Sequence, residues 1–297
     1  MANKRPRVTK LIFVILVSLI TCFANADVLK LGRSVGHNDE GLKNLVELGD
    51  YIVSELGGEV YTSYKVFSDR EANNSKFIKL VNEEKIDIVI EELYSASLYT
   101  KLTQLEPVLL IDKKNSLYLN SYIVVRKDSA IKSIKDLGGN VLALKNRVST
   151  PYYFLPMKEI KDIGLKTAEL TDIKQKLPKD TVGYFLTNDK ETTANSVYIK
   201  KADAGAVCSY EWDHNSNIPH FIKDNLKVIH KTESIPGIFV LMRKDMPTDI
   251  RNKIINILAN KKKNRLLKAH LSKCRVDGFH KIKFNWRELF ELITLKF

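Results

Sequence analysis

The strongest constraint on the fold is a recurring order in which a short apolar run is followed by an amphipathic helical pattern and then by another apolar run. Val28 to Leu31 reads as a strand, and the loop Gly32-Arg33-Ser34-Val35-Gly36 follows it. Leu42, Leu45, Val46, Leu48, Ile52, Val53 and Leu56 then recur at spacings of three and four, the mark of an amphipathic helix, which stops at Gly57-Gly58. Val60 to Phe67 is a second strand, Phe77 to Asn82 lies in a second helix, and Ile86 to Ile90 is a third, wholly apolar but for Asp87. Continuous apolar strands separated by helices predict a parallel sheet covered on both faces.

The second half repeats the order. Val141 to Leu144, Val182 to Leu186 and Asp203 to Val207 read as strands, with helices over Pro151 to Ile163 and Thr193 to Lys200. Between the two units lie the extended segments Tyr122 to Val125 and Ile238 to Met242, each running into a charged turn, Arg126-Lys127-Asp128 and Arg243-Lys244-Asp245. The likeness of YIVVRKDS to FVLMRKDM predicts two chain crossings between lobes. The expected architecture is a two-lobed α/β protein with a cleft, lobe one spanning 27–120 plus 236–297 and lobe two 121–235. Ligands of open α/β sheets lie beyond the carboxyl ends of the strands, so the loops after each strand carry the chemistry.

The N-terminus points to export. Lys4, Arg5, Arg7 and Lys10 precede an apolar run from Leu11 to Ile20, and Ala24-Asn25-Ala26 offers small residues for cleavage, so 1–26 reads as a signal peptide. The apolar run is shorter than the ~20 residues that span a bilayer. A lipoprotein reading would use Cys22, but Thr21 stands where a smaller residue is usual. Cleavage removes four cations and no acid, so a formal charge of +13 becomes +9 and the exported protein is still basic. That surplus favours anionic partners. The run Lys261-Lys262-Lys263 reads as a solvated helix face, and no nucleic-acid signature accompanies it. Cys208 and Cys274 remain after cleavage, either as one bridge or as two separate buried thiols.

Residues 145–153, KNRVSTPYY, follow the strand Val141 to Leu144 and open a helix. Ser149 or Thr150 suits the N-cap, and Pro151 stands where its missing N–H costs nothing. Such an end presents free backbone N–H groups and a partial positive charge, a setting for an oxyanion, with Lys145 and Arg147 nearby.

The segments LKLGRSVG, KIDIVI, YIVVRKDSAIKSIKDLGGNVLAL, STPYYFLP, KKADAGAV and SIPGIFVLMRKDMP resemble, in order and spacing, the phosphate/phosphite/phosphonate-type substrate-binding proteins of ABC transporters. The resemblance covers about 28–260 and implies the two-lobed type II periplasmic-binding-protein fold, each lobe a mainly parallel sheet flanked by helices. It implies a monomer in the periplasm that takes a small anionic or zwitterionic ligand without a cofactor. Its partner would be a transporter permease, or a membrane receptor if the protein senses.

The family loop usually reads Ser-Thr-Ser-Gly-Tyr. Here Ser149, Thr150 and Tyr153 match, while Pro151 and Tyr152 replace the third serine and the glycine. The oxyanion role carries over to Ser149 and Thr150. After the second strand, Asp69-Arg70 stands where Asp-Tyr is usual, and Arg70 reads as a two-pronged ligand contact or a solvated cation. After the third, Glu91-Glu92-Leu93-Tyr94 replaces a Gly-Pro and keeps the tyrosine. The two carboxylates are expected to face solvent, or else to meet a ligand amine. Ser209, Tyr210 and Glu211, after the last strand, are expected on the far wall, and Asp203 in a structural turn.

Two rival readings are weaker. Tyr152 and Tyr153 with Glu211, Asp213, His214 and His220 could hold a ferric ion, but the histidines lack tight ligand spacing. An enzyme is not expected, since Cys208 has no identifiable histidine partner and no catalytic motif is present.

Overall fold

A computed structural model describes residues 27–35, 40–57, 60–68, 74–113, 115–187, 189–214, 218–260, 269 and 276–294. The leader, Arg70, the lysine run at 261–263 and Cys274 lie outside the described residues.

Two six-stranded sheets form the two lobes. In lobe one the strands are β1 (Asp27–Val35), β2 (Val60–Ser68), β3 (Ile88–Glu92), β4 (Leu105–Asp112), β13 (Ile238–Arg243) and β14 (Gly278–Lys281), in the order β14-β4-β13-β3-β1-β2. Lobe two contains β6 (Ser121–Arg126), β7 (Val141–Leu144), β8 (Lys166–Glu169), β9 (Thr181–Leu186), β10 (Ala204–Cys208) and β11 (Leu226–Lys231), ordered β11-β6-β10-β7-β9-β8. The β-α-β-α-β units are parallel as their apolar strands predict, with β1 beside β2 and β3, and β7 beside β9 and β10.

The strand faces alternate between separate cores. On β3, Ile88 and Ile90 pack on one face while Val89 packs on the other, and on β6 Ile123 and Val125 oppose Tyr122 and Val124. Both faces are therefore covered, which is why these runs are apolar at every position. Each such Val or Ile contributes about 1.5–3 kcal/mol by burial. The core around Val89 continues into lobe two through Tyr94, whose ring stacks on Phe154 at 5.1 Å.

The two RKD segments behave differently from the expectation. They are not crossings but whole strands, β6 antiparallel to β10 and β13 antiparallel to β3 and β4, so each sheet is mixed. The crossing is made just before them by a short ribbon of β5 (Tyr118–Leu119) against β12 (Ile235–Pro236). Their shared wording has a local cause. Arg126 pairs with Asp128 at 3.2 Å and Arg243 with Asp245 at 2.9 Å, each closing the turn that ends the strand. Arg243 also reaches buried Asp87 at 2.8 Å, and the other oxygen of Asp87 accepts the Lys30 N–H at 2.9 Å.

The segment after the first RKD is equally explicit. Ser133 and Asp136 close a capping box around the turn Ile134–Leu137, and two glycines follow. A Cβ on Gly138 would meet the Lys179 carbonyl oxygen at 2.0 Å, and Gly139 has φ +80°, so neither position tolerates a side chain. Among the described residues no helix is long and apolar enough to cross a membrane.

Candidate functional site

Strand β7 is fully buried and delivers the chain to the interlobe edge. Ser149 is extended, at φ −80° and ψ 125°, and Pro151 occupies the first turn. That turn, Thr150–Phe154, is wound as a π-turn in which the Leu155 N–H reaches the Thr150 carbonyl, before a regular helix, α4 (Leu155–Asp162), takes over. The sequence predicts one regular helix here. Thr150 is the first residue of that turn, so its N–H has no acceptor within the helix.

That N–H has a partner from lobe one. Glu92 ends β3 and precedes α3 (Leu93–Leu102); its carboxylate accepts the Thr150 N–H at 2.7 Å and the Ser149 hydroxyl at 3.1 Å. In return the Tyr94 N–H donates to the Thr150 hydroxyl at 3.0 Å, and the Ser95 hydroxyl to the Val148 carbonyl at 3.3 Å. Two helix starts thus meet across the cleft, with a carboxylate between them. The expectation that Glu91 and Glu92 face solvent is corrected: Glu91 is 8% exposed, and Glu92 is bonded inside the cleft. Ser149 and Thr150 are themselves buried, and buried donors need acceptors.

The far wall is a second polar cluster. The Tyr152 hydroxyl donates to Glu211, which also receives Lys190 Nζ at 3.0 Å. Burial, reinforced by the Glu211 charge, pushes the Tyr152 phenol well above its usual range. The Cys208 thiol is also pushed up by burial, and next by Glu211 and Glu92, so it stays protonated and unreactive.

Lys113, just past β4, stands near both clusters. Its ammonium lies 5.7 Å from the Tyr210 ring centre. Burial and then the Arg33 charge lower its pKa, partly offset by Glu211 and Glu92. Sequence reading did not single out Lys113. A lysine directly after the apolar run LLID was the available signal.

The structure thus brings Ser149, Thr150, Tyr94, Tyr210 and Glu211 to one cleft. Tyr153 goes elsewhere: its hydroxyl accepts Arg147 at 3.0 Å and its ring meets Tyr184 edge-on at 6.0 Å. Tyr152 takes the inward position instead, because neighbours on a helix turn project about 100° apart. Ser209 is buried, its hydroxyl accepting the Asn120 N–H at 3.0 Å, which ties β10 to the interlobe ribbon. Asp203 accepts the Val141 N–H at 2.9 Å, a structural role. Among the described residues no three His, Cys, Asp or Glu side chains converge on a metal-sized site.

Comparison with known proteins bears on the family and the fold. The family model for the periplasmic phosphonate substrate-binding protein of ABC transporters matches residues 38–286. Among solved structures, XAC2383 from Xanthomonas citri, solved with chloride ion and with ATP, superposes with TM-score 0.81 at 22% identity, covering 91% of this chain and 96% of that one. PhnD1 from Prochlorococcus marinus in complex with methylphosphonate gives TM-score 0.70 at 18% identity, covering 92% and 98%. A phosphonate-transporter binding protein from Pseudomonas aeruginosa gives 0.67 at 17%, covering 91% and 86%. No curated protein sequence matches. These structures share the two-lobed fold, and the matched family is a transporter's binding component, not an enzyme. With its family model matched over most of its length, the chain belongs to the periplasmic substrate-binding proteins of phosphonate ABC transporters.

Proposed function

We propose that the protein, exported through its cleavable leader, captures a small phosphonate- or phosphate-like oxyanion by lobe closure and passes it, as a monomer, to an ABC-transporter permease. One observation carries this reading. The Thr150 N–H and Ser149 hydroxyl already hold an oxyanion, the Glu92 carboxylate, in charge-assisted geometry. A ligand oxyanion takes that place when Glu92 swings out, and the lobes pivot about the β5–β12 ribbon. Methylphosphonate in PhnD1 and the anions in XAC2383 fit the same charge preference. Micromolar affinity needs about 8 kcal/mol. Hydrogen bonds to a charged group supply about 1.5–3 kcal/mol each, but the two lobe-two donors already hold Glu92, so contacts from lobe one must supply most of that figure.

The test is calorimetric titration of the protein from Asp27 onward with methylphosphonate, phosphate, phosphite and methanesulfonate. At least one oxyanion binds, and Ser149→Ala with Thr150→Ala weakens it by at least about tenfold, or 1.4 kcal/mol. Equal binding by that double variant rejects the site.

A further inference from the structure

Two large apolar side chains project into solvent at the end of lobe two remote from the cleft. Ile199 is 56% exposed just past α5 (Lys190–Tyr198), and Phe221 is 59% exposed in the short helix His220–Lys223. Tyr198 joins the two segments, its ring meeting Phe221 edge-on at 5.7 Å. Their place follows from the strands. The chain leaves α5 to enter β10 at its amino end, and the short helix leads into β11, whose first residue pairs with Arg126 at the end of β6. The oxyanion loop follows the carboxyl end of β7, which runs parallel to β10, so the patch lies at the opposite end of the sheet.

Cations surround it. Lys200 and Lys201 follow Ile199 and are exposed. Arg126 donates to the Val197 carbonyl at 3.3 Å, which brings the turn Arg126-Lys127-Asp128 beside the end of α5. The Lys127 N–H donates to the Asn225 carbonyl at 2.9 Å, and the Lys127 carbonyl accepts Lys227 Nζ at 3.0 Å, so the same turn touches the chain leaving the Phe221 helix. Lys223 stands within that helix, its ammonium 5.2 Å from the Trp212 ring centre. The acids of these segments are Asp128, paired with Arg126, Asp203, which accepts the Val141 N–H, and Asp224. The balance is positive, in line with the formal charge of +9 that remains after leader removal.

An aliphatic and an aromatic side chain projecting from two helices, ringed by lysines, match an anionic bilayer surface: the apolar groups enter the interface and the ammonium groups meet the headgroups. A second copy fits less well, because a two-fold contact over this patch would set the same cations against one another.

We propose that the Ile199–Phe221 end of lobe two is a docking patch that holds the protein reversibly on an anionic lipid surface. The cleft, at the other end of the sheet, is left free while the patch is engaged.

The experiment is co-sedimentation of the protein from Asp27 onward with vesicles of phosphatidylcholine alone, or mixed equally with phosphatidylglycerol. The protein should sediment with the mixed vesicles, less so as salt is raised, and hardly at all with phosphatidylcholine. Lys200→Gln with Lys201→Gln should weaken binding about 25-fold, at about fivefold per lysine. Ile199→Ser with Phe221→Ser should weaken it at least about tenfold. Lys174→Gln with Lys176→Gln, an equal charge change on exposed residues between β8 and β9, should have a much smaller effect. Methylphosphonate should not release the protein, which separates the patch from headgroup phosphate held in the cleft. Should the Ser variant not fold, the two lysine pairs decide alone. No sedimentation with the mixed vesicles, equal losses from both lysine pairs, or release by methylphosphonate overturns the assignment. So does a dimer in sedimentation velocity that Ile199→Ser with Phe221→Ser dissociates, since the patch then serves a second copy.

Discussion

The Glu92 carboxylate accepts the Thr150 N–H at 2.7 Å across the two lobes, so one lobe supplies the anion for the other lobe's helix start. In the proposed mechanism a ligand oxyanion competes with Glu92 for these two donors, and affinity is the difference between the two free energies.

Glu92→Ala removes that competitor. Methylphosphonate should bind at least about tenfold tighter, since a hydrogen bond to a charged group is worth about 1.5–3 kcal/mol. The ligand-free protein should lose a similar amount of stability in a urea melt, because buried Ser149 and Thr150 lose their acceptor. Tighter binding together with weaker apo stability is the diagnostic pair; unchanged affinity would show that Glu92 does not compete.

Lys113→Met should move stability the other way. The ammonium is desolvated and faces the Arg33 charge, and its lowered pKa means that the folded state binds this proton less well than the unfolded chain does. The penalty is present while the lysine is protonated and is relieved as pH rises through the lowered folded pKa. At pH 7 the methionine variant should therefore melt higher than the parent and bind phosphonate more weakly. A lower melting temperature would contradict the cost assigned to this cation.

Tyr152→Phe tests the far wall by its alkaline behaviour. The folded phenol titrates well above its unfolded value near 10. Its contribution is complete below that unfolded pKa and is lost as pH rises above it toward the folded pKa, because the unfolded chain then releases its proton first. Between about pH 10 and 11 the parent should lose stability more steeply than the variant, by at most about 1.4 kcal/mol per pH unit. Parallel guanidinium melts at pH 8, 10 and 11 would show it, and identical slopes would remove Tyr152 from the account.

Asp87→Ala should be the most destabilising of these changes. It leaves Arg243 only its exposed partner Asp245 and deprives the Lys30 N–H of its acceptor, loosening the joint of β1, β3 and β13. Loss of one partner of a buried pair costs about 3–5 kcal/mol. Asp245→Ala removes an exposed partner of the same arginine and should cost less than about 1 kcal/mol in the same melt.

Much of this architecture was legible because it rests on local rules. The strand Val141 to Leu144 has the bounds its apolar run predicts, and Pro151 fixes the next helix start. Strand β4 is not legible from its pattern because Glu106 and Pro107 interrupt its apolar run. Tyr152 faces Glu211 and Tyr153 faces Arg147 because adjacent residues of the turn project in different directions, and a helix-start signature does not say which of them points inward. Glu92 was the hardest case. A carboxylate after an apolar strand reads as solvent-facing, and only a partner 58 residues away turns it inward. Lys113 and Arg33 share that difficulty, since their chemistry arises where distant strand ends converge.

The strand order of lobe one also dictates when its parts can assemble. β13 lies between β3 and β4, yet about 150 residues of chain, including all of lobe two, separate β3 from it. Lobe two is contiguous and can complete its sheet as soon as its own residues are available. Until β13 arrives, β3 and β4 each carry an open edge on an apolar strand, the feature that seeds intermolecular pairing. Folding should therefore be slowest at the β3–β13 joint, and a chain truncated before Ile238 should retain an ordered lobe two beside an aggregation-prone half of lobe one.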